Sequence, residues 1–266
     1  MTWTPRLMLV TNRLATQLPL LDAIRSAVRG GVDAVQVREK DLSFEDLRDL
    51  TAQIAEAAAP APVFVNGSID VARLLGVGIH LPEHGASVAA ARSALGSDVL
   101  IGQSVHSVDS ARADFGADYL VAGHVFDTSS KPDLPAIGLD GLKAIVAAAN
   151  APVIAIGGID QRNARSVISA GATGVAIMSS INQSGDPAVT ASAIASELDG
   201  ISITLNGHET IIAPNLTIED FLNQRGFKDR LVVVEINAKI AAKSSYSVRV
   251  FEPEDSVEIV HFVGGG

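Results

Sequence analysis

The 266-residue sequence contains no cysteine. This absence excludes disulfide bonds, thiolate nucleophiles and cysteine-ligated metal sites, so any sulfur chemistry must use another group. No apolar stretch reaches the about 20 residues that cross a bilayer, and the first six residues lead into only a short apolar run rather than a signal peptide. We therefore expect a cytoplasmic protein without a membrane partner.

Aromatic residues (4%) and charged residues (19%) are also scarce, whereas hydrophobic residues make up 47% of the sequence. This abundance of Ala, Val, Ile and Leu suits helices that cover a buried parallel sheet. The net charge of −10 argues against nucleic acid as a partner, because a phosphate backbone repels an acidic protein. A local basic pocket for a phosphate remains compatible with this charge.

From residue 7 to about residue 180, short apolar runs alternate with segments of helical periodicity, as buried parallel strands and their covering helices do. Ser43, followed three residues later by Asp46, has the spacing of a capping box at the start of one helix. Eight strand–helix units predict a (β/α)8 TIM barrel, with a doubly wound open sheet as the alternative. The eight candidate strands are Leu7–Thr11, Ala34–Arg38, Val63–Asn66, Gly78–Leu81, Leu100–Ser104, Tyr119–Val125, Val153–Ile156 and Gly174–Met178.

The pattern changes near residue 200, where we place a boundary between a first domain, residues 1–199, and a second domain, residues 200–266. An Asn-Gly turn at Asn206 and Gly207 predicts a β-hairpin. A short helix is expected over Thr217–Gln224, with Thr217 as its N-cap. Together with the later strands this order predicts a small α+β domain. The strands expected after the hairpin are Leu231–Ile236, Tyr246–Phe251 and Val257–Phe262.

The loops after strands seven and eight are the predicted phosphate site, because barrel active sites lie at the carboxyl ends of the strands. Strand seven runs into Gly157 and Gly158, and strand eight runs into Ser179 and Ser180. Glycine lets backbone N–H groups approach phosphate oxygens, and a helix N-terminus adds positive potential. The alternative is that the glycine pair only forms a turn.

Strand two ends with three polar side chains at alternate positions, Gln36, Arg38 and Lys40. Alternate residues of a strand point to the same side. Buried cations need partners, so we predict that these three residues face an anionic or heterocyclic substrate at the barrel mouth. The alternative is a salt-bridge layer in the core with Glu39 or another acid.

Strand six leads into His124, which is followed by a loop that contains Lys131. Histidine gains and loses a proton near neutral pH, as a general acid–base residue must. Lys131 is a candidate for holding a phosphate or a carboxylate. The alternative is a structural histidine. At the end of strand five, Ser104 and His106 are secondary candidates.

Two further histidines, His80 and His84, flank a Pro-Glu turn after strand four and are interpreted as structural. A metal site formed by His80, Glu83 and His84 is disfavoured by the intervening Pro82. We therefore predict no metal site.

Residues 7–182 resemble the thiamine phosphate synthase superfamily, which divides into synthases and TenI-like thiazole tautomerases. Synthases join a pyrimidine diphosphate to a thiazole phosphate, whereas tautomerases aromatise a thiazole carboxylate phosphate. The resemblance implies a barrel that binds a thiazole phosphate. The runs that carry it are residues 35–40 (VQVREK), 102–107 (GQSVHS), 116–119 (GADY) and 154–159 (IAIGGI).

Two departures distinguish these classes. Synthases carry Asn-Asp-Arg after strand three, where this sequence has Asn66, Gly67 and Ser68, and Gly-Gln-Asp/Glu-Asp after strand four, where it has residues 81–84 (LPEH). The acids that would hold a magnesium diphosphate are thus missing. Residues 123–128 (GHVFDT) instead resemble the tautomerase motif, whose histidine is the acid–base residue.

The resemblance therefore implies a thiazole tautomerase that needs no metal and no intrinsic cofactor, with His124 as its catalytic residue. The residues expected to bind the substrate and its phosphate are Gln36, Arg38, Lys40, Asn66, Ser104, Lys131, Gly157, Gly158, Ser179 and Ser180.

Residues 201–266 resemble ThiS, the β-grasp sulfur carrier of thiazole biosynthesis. The sequence ends in three glycines, a tail that can thread a narrow catalytic channel, although a frayed terminus is the alternative. The resemblance implies that a ThiF-like adenylyltransferase uses ATP to activate the carboxylate of Gly266. The resulting thiocarboxylate would supply sulfur to a ThiG-like thiazole synthase. The matching runs are residues 205–207 (LNG), 217–222 (TIEDFL), 234–237 (VEIN) and 257–266 (VEIVHFVGGG).

Other interpretations stay open at this point. The barrel could be a true thiamine phosphate synthase joined to a carrier, or a non-catalytic scaffold for the carrier. A molybdopterin-type carrier and a protein-tagging role are further alternatives for the tail. The sequence leaves the oligomeric state open, and a homo-oligomer formed through the barrel is possible.

Overall fold

The computed structural model describes residues 4–113, 116–128, 134–212, 216–225, 227 and 232–261. The chain divides into two compact units, Met1–Glu197 and Leu198–Gly266. This division falls two residues before the boundary placed from the sequence after residue 199.

The first unit is a closed barrel of parallel strands that follow one another in chain order. Pairing of β1 with β8, with Leu9 opposite Ile177, closes the ring. The predicted TIM barrel is therefore confirmed, and the open sheet is excluded. The strands are β1 Leu7–Val10, β2 Ala34–Val37, β3 Val63–Asn66, β4 Gly78–Leu81, β5 Ile101–Val105, β6 Tyr119–Gly123, β7 Val153–Ile156 and β8 Gly174–Ile177.

Helices connect the strands and cover the outside of the barrel. At the start of α2, the hydroxyl of Ser43 accepts the backbone N–H of Asp46 at 3.1 Å, as the capping pattern predicts. No helix in the described part of the chain is long and apolar enough to cross a membrane. The helices are α1 Leu20–Arg29, α2 Phe44–Ala58, α3 Ile69–Leu75, α4 Val88–Leu95, α5 Val108–Arg112, α6 Gly138–Ala148, α7 Ala164–Ser169, α8 Ser179–Asn182 and α9 Pro187–Leu198.

Large and small residues alternate inside the barrel. The rings of Phe64 and Tyr119 are buried there and meet edge to face, with centroids 5.5 Å apart. A Cβ atom at Gly102 would lie 2.2 Å from Cζ of Tyr119, so only glycine leaves room for that ring. These rings fill the interior, and the polar residues near the carboxyl ends of the strands line a cavity.

The second unit is a β-grasp domain with a mixed five-stranded sheet in the order β10-β9-β13-β11-β12. The strands β9 and β13 run parallel, and the other neighbouring pairs run antiparallel. One helix, α10, contributes Phe221 to the core below the sheet. The elements are β9 Ile201–Leu205, β10 His208–Ile212, α10 Ile218–Gln224, β11 Val232–Ile236, β12 Lys239–Ile240, a 3-10 turn at Lys243–Ser245, and β13 Ser256–His261.

The predicted hairpin and helix of this unit are confirmed. Asn206 and Gly207 form the two-residue turn between β9 and β10, with φ angles of 47° and 80°. Positive φ at both positions is the geometry that favours Asn-Gly in such turns. The hydroxyl of Thr217 accepts the backbone N–H of Asp220 at 3.1 Å and so caps α10.

The strand predicted over Tyr246–Phe251 is wrong. The carbonyl of Ser245 accepts the N–H groups of Val248 and Arg249, so the chain turns here instead of extending. The N–H of Phe251 then bonds to the carbonyl of Leu216, beside the start of α10. These backbone groups are satisfied outside the sheet ladders, and the apolar pattern reflects the burial of Phe251 against Phe221.

Candidate active site

A cavity of about 560 Å³ lies at the carboxyl ends of the barrel strands. Its wall contains every described residue that the sequence assigned to the catalytic and binding site of the barrel, and their individual roles stay predictions. Lys131 and Gly266 fall outside the described residues. The predicted residues in the wall are Gln36, Arg38, Lys40, Asn66, Ser104, His124, Gly157, Gly158, Ser179 and Ser180.

The cations after β2 are not neutralised by the acid between them. Glu39 is buried, and its carboxylate accepts hydrogen bonds from the Thr11 hydroxyl at 2.7 Å and from Arg13 at 3.1 Å. Within the described residues, neither Arg38 nor Lys40 forms an ion pair. The alternative of a core salt bridge with Glu39 is therefore wrong, and both cations remain available to an anion in the cavity.

Two amides extend the polar wall towards β3. Nε2 of Gln36 donates to Oδ1 of Asn66 at 3.1 Å. Gln36 is buried, whereas Asn66 is half-buried. This bond fixes the amide of Asn66 beside the cations, where it can still offer its NH₂ group to a ligand.

His124 directly follows β6 and is 6% exposed. Its Nε2 lies 3.0 Å from the backbone carbonyl of Leu134. Because a carbonyl only accepts hydrogen bonds, Nε2 carries the proton in this arrangement, and Nδ1 of the neutral ring keeps its lone pair. A histidine held in this way offers one basic nitrogen.

Gly157 has a steric reason to be glycine in addition to the predicted contact with phosphate. A Cβ atom there would lie 2.2 Å from Cβ of His124, and the φ angle is +101°. The N–H of Val125 also bonds to the carbonyl of Ile156 at 2.9 Å. Gly157 therefore lets the segment that carries His124 pack against the end of β7.

His80 is a cavity residue that the sequence interpretation treated as structural. It is 2% exposed, and its Nε2 lies 2.8 Å from the hydroxyl of Ser104 on β5. Burial first, and then the positive charge of Arg38, lower the pKa of His80 to about 3. The signal was present in the alternation of β4, because the residues on either side of His80 pack outward among the helices.

Three acids line the cavity, Glu83, Asp127 and Asp160, and two of them have side-chain partners. A carboxylate oxygen of Glu83 lies 2.7 Å from Nδ1 of His106. Burial raises the pKa of Glu83, but hydrogen bonds from Ser110 and His106 outweigh it and leave that pKa lowered. Asp160 accepts from Nε of Arg162 at 3.0 Å, which lowers the pKa of its carboxyl.

The metal site considered from the sequence finds no support in these side chains. His84 is 93% exposed, whereas His80 is buried inside the barrel. Across the described ranges, no group of three or more histidine, aspartate or glutamate side chains is placed to hold a metal ion.

Two family models match the sequence. The thiamine monophosphate synthase model (TMP-TENI) matches residues 7–181. The ThiS family model matches residues 196–266. The first match covers the barrel, and the second covers the β-grasp unit.

The barrel is similar to proteins named thiamine-phosphate synthase. The one from Albidiferax ferrireducens is 39% identical over 203 residues, which are 74% of this chain and 93% of that protein. The one from Moorella thermoacetica is 39% identical over 188 residues, which are 68% of this chain and 90% of that protein.

Among solved structures, a thiamine phosphate pyrophosphorylase from Pyrococcus furiosus has a TM-score of 0.66 and 31% identity, over 73% of this chain and 95% of that one. A 3-hexulose-6-phosphate synthase, at 16% identity and a TM-score of 0.57 over 73% of this chain and 100% of that one, shares the fold alone. The chain belongs to the thiamine monophosphate synthase (TMP-TENI) family, and it carries a C-terminal ThiS-family domain.

Proposed function

We propose that the barrel is a thiazole tautomerase, which converts a thiazole carboxylate phosphate into its aromatic form. The observation that carries this proposal is His124, whose ring lies in the cavity wall with Nε2 bonded to a backbone carbonyl and Nδ1 left as a base. The family match supports an enzyme of thiamine biosynthesis, and the tautomerase is our assignment within that family.

The proposed reaction moves one proton between two carbon atoms of the substrate. Nδ1 of His124 removes the proton from the first carbon, and the electron pair of that C–H bond shifts into the ring system. The imidazolium then returns the proton to the second carbon. Substrate and product have the same atoms, and the histidine ends neutral, so one acid–base residue suffices.

The proposed anchors hold the two anionic groups of the substrate. Gly157, Gly158 and the start of α8 at Ser179 offer backbone N–H groups to the phosphate. Arg38 and Lys40 add positive charge on the β2 side, where no described acid neutralises them. Lys131, outside the described residues, is proposed as a further cation.

The competing proposal is a thiamine phosphate synthase, and it is favoured by the relatives, which are named thiamine-phosphate synthases. The residues present support it less. The synthase acid after β3 is replaced by glycine at Gly67, and the nearest acid after β4, Glu83, is bonded to His106 at 2.7 Å. The other two acids of the cavity wall, Asp127 after β6 and Asp160 after β7, do not stand at the positions of the synthase acids.

Two parallel assays of the full chain separate these proposals. The first supplies the thiazole carboxylate phosphate tautomer without metal, and the second supplies hydroxymethylpyrimidine diphosphate, thiazole phosphate and Mg²⁺. We expect aromatisation in the first assay, lost in His124→Ala, and no thiamine phosphate in the second. Product in the second assay alone would replace the tautomerase with the synthase, and no product in either would leave the barrel as a scaffold.

For the C-terminal domain, the proposal is a sulfur carrier whose thiocarboxylate forms on Gly266. Support comes from the ThiS family match and from the β-grasp sheet. A ThiF-like adenylyltransferase would activate the carboxylate with ATP, and a ThiG-like thiazole synthase would receive the sulfur. These partners are part of the proposal.

Intact-protein mass spectrometry tests the carrier. After incubation with ATP, a sulfide source and a ThiF-like enzyme, we expect the mass gain of one oxygen replaced by sulfur. A chain without Gly266 is the control and should gain nothing. An unchanged mass, with the activating enzyme proven on another carrier, would contradict the proposal.

A further inference from the structure

The carboxyl ends of β4 and β5 hold a hydrogen-bonded pair that the proposed proton transfer does not use. His80 Nε2 and Ser104 Oγ are 2.8 Å apart, and both residues line the cavity. His80 is 2% exposed, and its Nδ1 has no hydrogen-bond partner in the described part of the chain. A buried polar atom without a partner calls for an explanation, because nearly all such atoms are paired.

The unpartnered nitrogen indicates the direction of the bond. If the Ser104 hydroxyl donated to Nε2, the N–H of the neutral ring would sit on Nδ1, buried and without an acceptor. Buried N–H groups without a partner are rarer than acceptors with a free lone pair. Nε2 therefore donates to Ser104, and the hydrogen of the Ser104 hydroxyl is left for another acceptor, which no described residue provides.

The charge around this pair favours an anionic acceptor. Burial first, and then the positive charge of Arg38, lower the pKa of His80 to about 3, so His80 stays neutral at physiological pH. Arg38 also lines the cavity and is not paired with any described acid. A neutral donor next to an unneutralised cation suits an oxygen of a carboxylate or a phosphate.

The ring of strands distinguishes these two anions. The proposed phosphate anchor lies after β7 and β8, whereas the pair lies on β4, which is opposite β8 in the ring of eight strands, and on β5, which is two strands from β7. A substrate that holds its phosphate at β7 and β8 and crosses the cavity can therefore bring its other end to the His80–Ser104 pair. In the proposed substrate, that other end carries the carboxylate.

We propose that the hydroxyl of Ser104, oriented by His80, donates a hydrogen bond to the carboxylate of the substrate on the side of the cavity away from the phosphate. Ser104 is then a binding residue, and His80 is a positioning residue that acts through it. This inference rests on the proposed function, which supplies a substrate with both anionic groups.

Calorimetric titration of the full chain with two probes tests the pair. One probe is the aromatic thiazole carboxylate phosphate, and the other is the thiazole phosphate that lacks the carboxylate. Ser104→Ala should weaken binding of the first probe about 10- to 100-fold, the effect of losing a hydrogen bond to a charged group. Binding of the second probe should change little.

Variants of His80 test its positioning role. His80→Leu should reproduce the loss seen in Ser104→Ala, whereas His80→Gln should keep most of the affinity because its amide N–H can donate to Ser104. The double variant Ser104→Ala/His80→Leu should be no weaker than Ser104→Ala alone, since coupled residues are not additive. Equal losses for both probes, or additive losses, would overturn the proposal.

A second measurement does not depend on binding or turnover. Long-range ¹⁵N spectra of the histidine rings should show His80 as the neutral Nε2–H tautomer from about pH 5 to pH 8, where an ordinary histidine titrates. An Nδ1–H tautomer would overturn the proposal even if His80→Leu failed to fold. If the wild-type chain fails to convert the thiazole carboxylate phosphate, the proposed function is overturned instead. The two failures are distinguishable, because the difference in binding between the two probes is measured without turnover.

Discussion

Two sides of the barrel mouth each present a histidine, and the two side chains are almost equally buried, at 6% exposure for His124 and 2% for His80. Their hydrogen-bond partners differ. His124 bonds to a backbone carbonyl, whereas His80 bonds to a hydroxyl and lies near Arg38. The comparison teaches that the partner, rather than burial, decides what a histidine can do in this cavity.

A carbonyl and a hydroxyl constrain a ring in different ways. The carbonyl of Leu134 can only accept, so it fixes the proton of His124 on Nε2 and leaves Nδ1 as a base. The hydroxyl of Ser104 can accept and donate at once. While it accepts a hydrogen bond from His80, it can donate one to a ligand. One side is therefore suited to proton transfer and the other to binding.

The largest expected effect is that of His124→Ala on turnover. Removal of a general acid–base residue costs about 10²- to 10⁴-fold in rate, so kcat should fall by that factor while the fold stays intact. His84→Ala is the matched control, because His84 is 93% exposed. Steady-state kinetics and a thermal melt of each variant make the measurement. A fully active His124→Ala would contradict the proton-transfer role that separates His124 from His80.

Gly157→Ala should displace His124 on the β6–β7 side of the cavity, because the substitution strains the backbone there. The added Cβ would lie 2.2 Å from Cβ of His124, at a φ of +101°. Gly76→Ala is the control, because Gly76 has a φ of +65° with open space around it. We expect Gly157→Ala to lower the free energy of unfolding about 1–3 kcal/mol more than the control does, since overpacking adds to the backbone strain.

Chemical denaturation and turnover assays together check this second prediction. Turnover of Gly157→Ala should fall at least about tenfold, because a displaced base loses its alignment with the substrate. Gly76→Ala should keep its turnover. Equal stability losses in both variants would mean that His124 does not depend on the close approach at Gly157.

At neutral pH the smallest expected effect is that of His80 on stability, because this contribution changes only as the pH falls. The pKa of His80 is about 3 in the folded chain, against 6.5 for an ordinary histidine. Between these values the unfolded chain binds the proton and the folded chain does not. Stability from His80 is thus fully present above pH 6.5 and is lost as the pH falls towards 3, by up to about 1.4 kcal/mol per pH unit.

His80→Gln isolates this contribution, because glutamine does not titrate. The variant should show a shallower loss of barrel stability than the wild-type chain when both are denatured at a series of pH values below 6.5. If stability fell equally with pH in both proteins, His80 would be protonated in the folded barrel as readily as in the unfolded chain. The proposed difference between His80 and His124 would then be lost.

Much of the fold follows from local patterns in the sequence. The eight barrel strands and the Asn-Gly hairpin are visible because buried strands and tight turns restrict residue type at neighbouring positions. The segment Tyr246–Phe251 misleads for the same reason. Its apolar residues suit a strand, but its backbone groups bond to a turn and to Leu216, and only the tertiary structure provides those partners.

The candidate site divides in a similar way. The sequence by itself determined which strand ends carry polar residues, and so it placed Arg38, Ser104, His124 and Gly157 at one mouth. Only the tertiary structure decided that Glu39 pairs with Arg13, that His80 bonds to Ser104, and that Gly157 makes room for His124. The physical reason is that residue order fixes position along a strand, whereas hydrogen-bond partners and close approaches depend on neighbours that chain folding brings together.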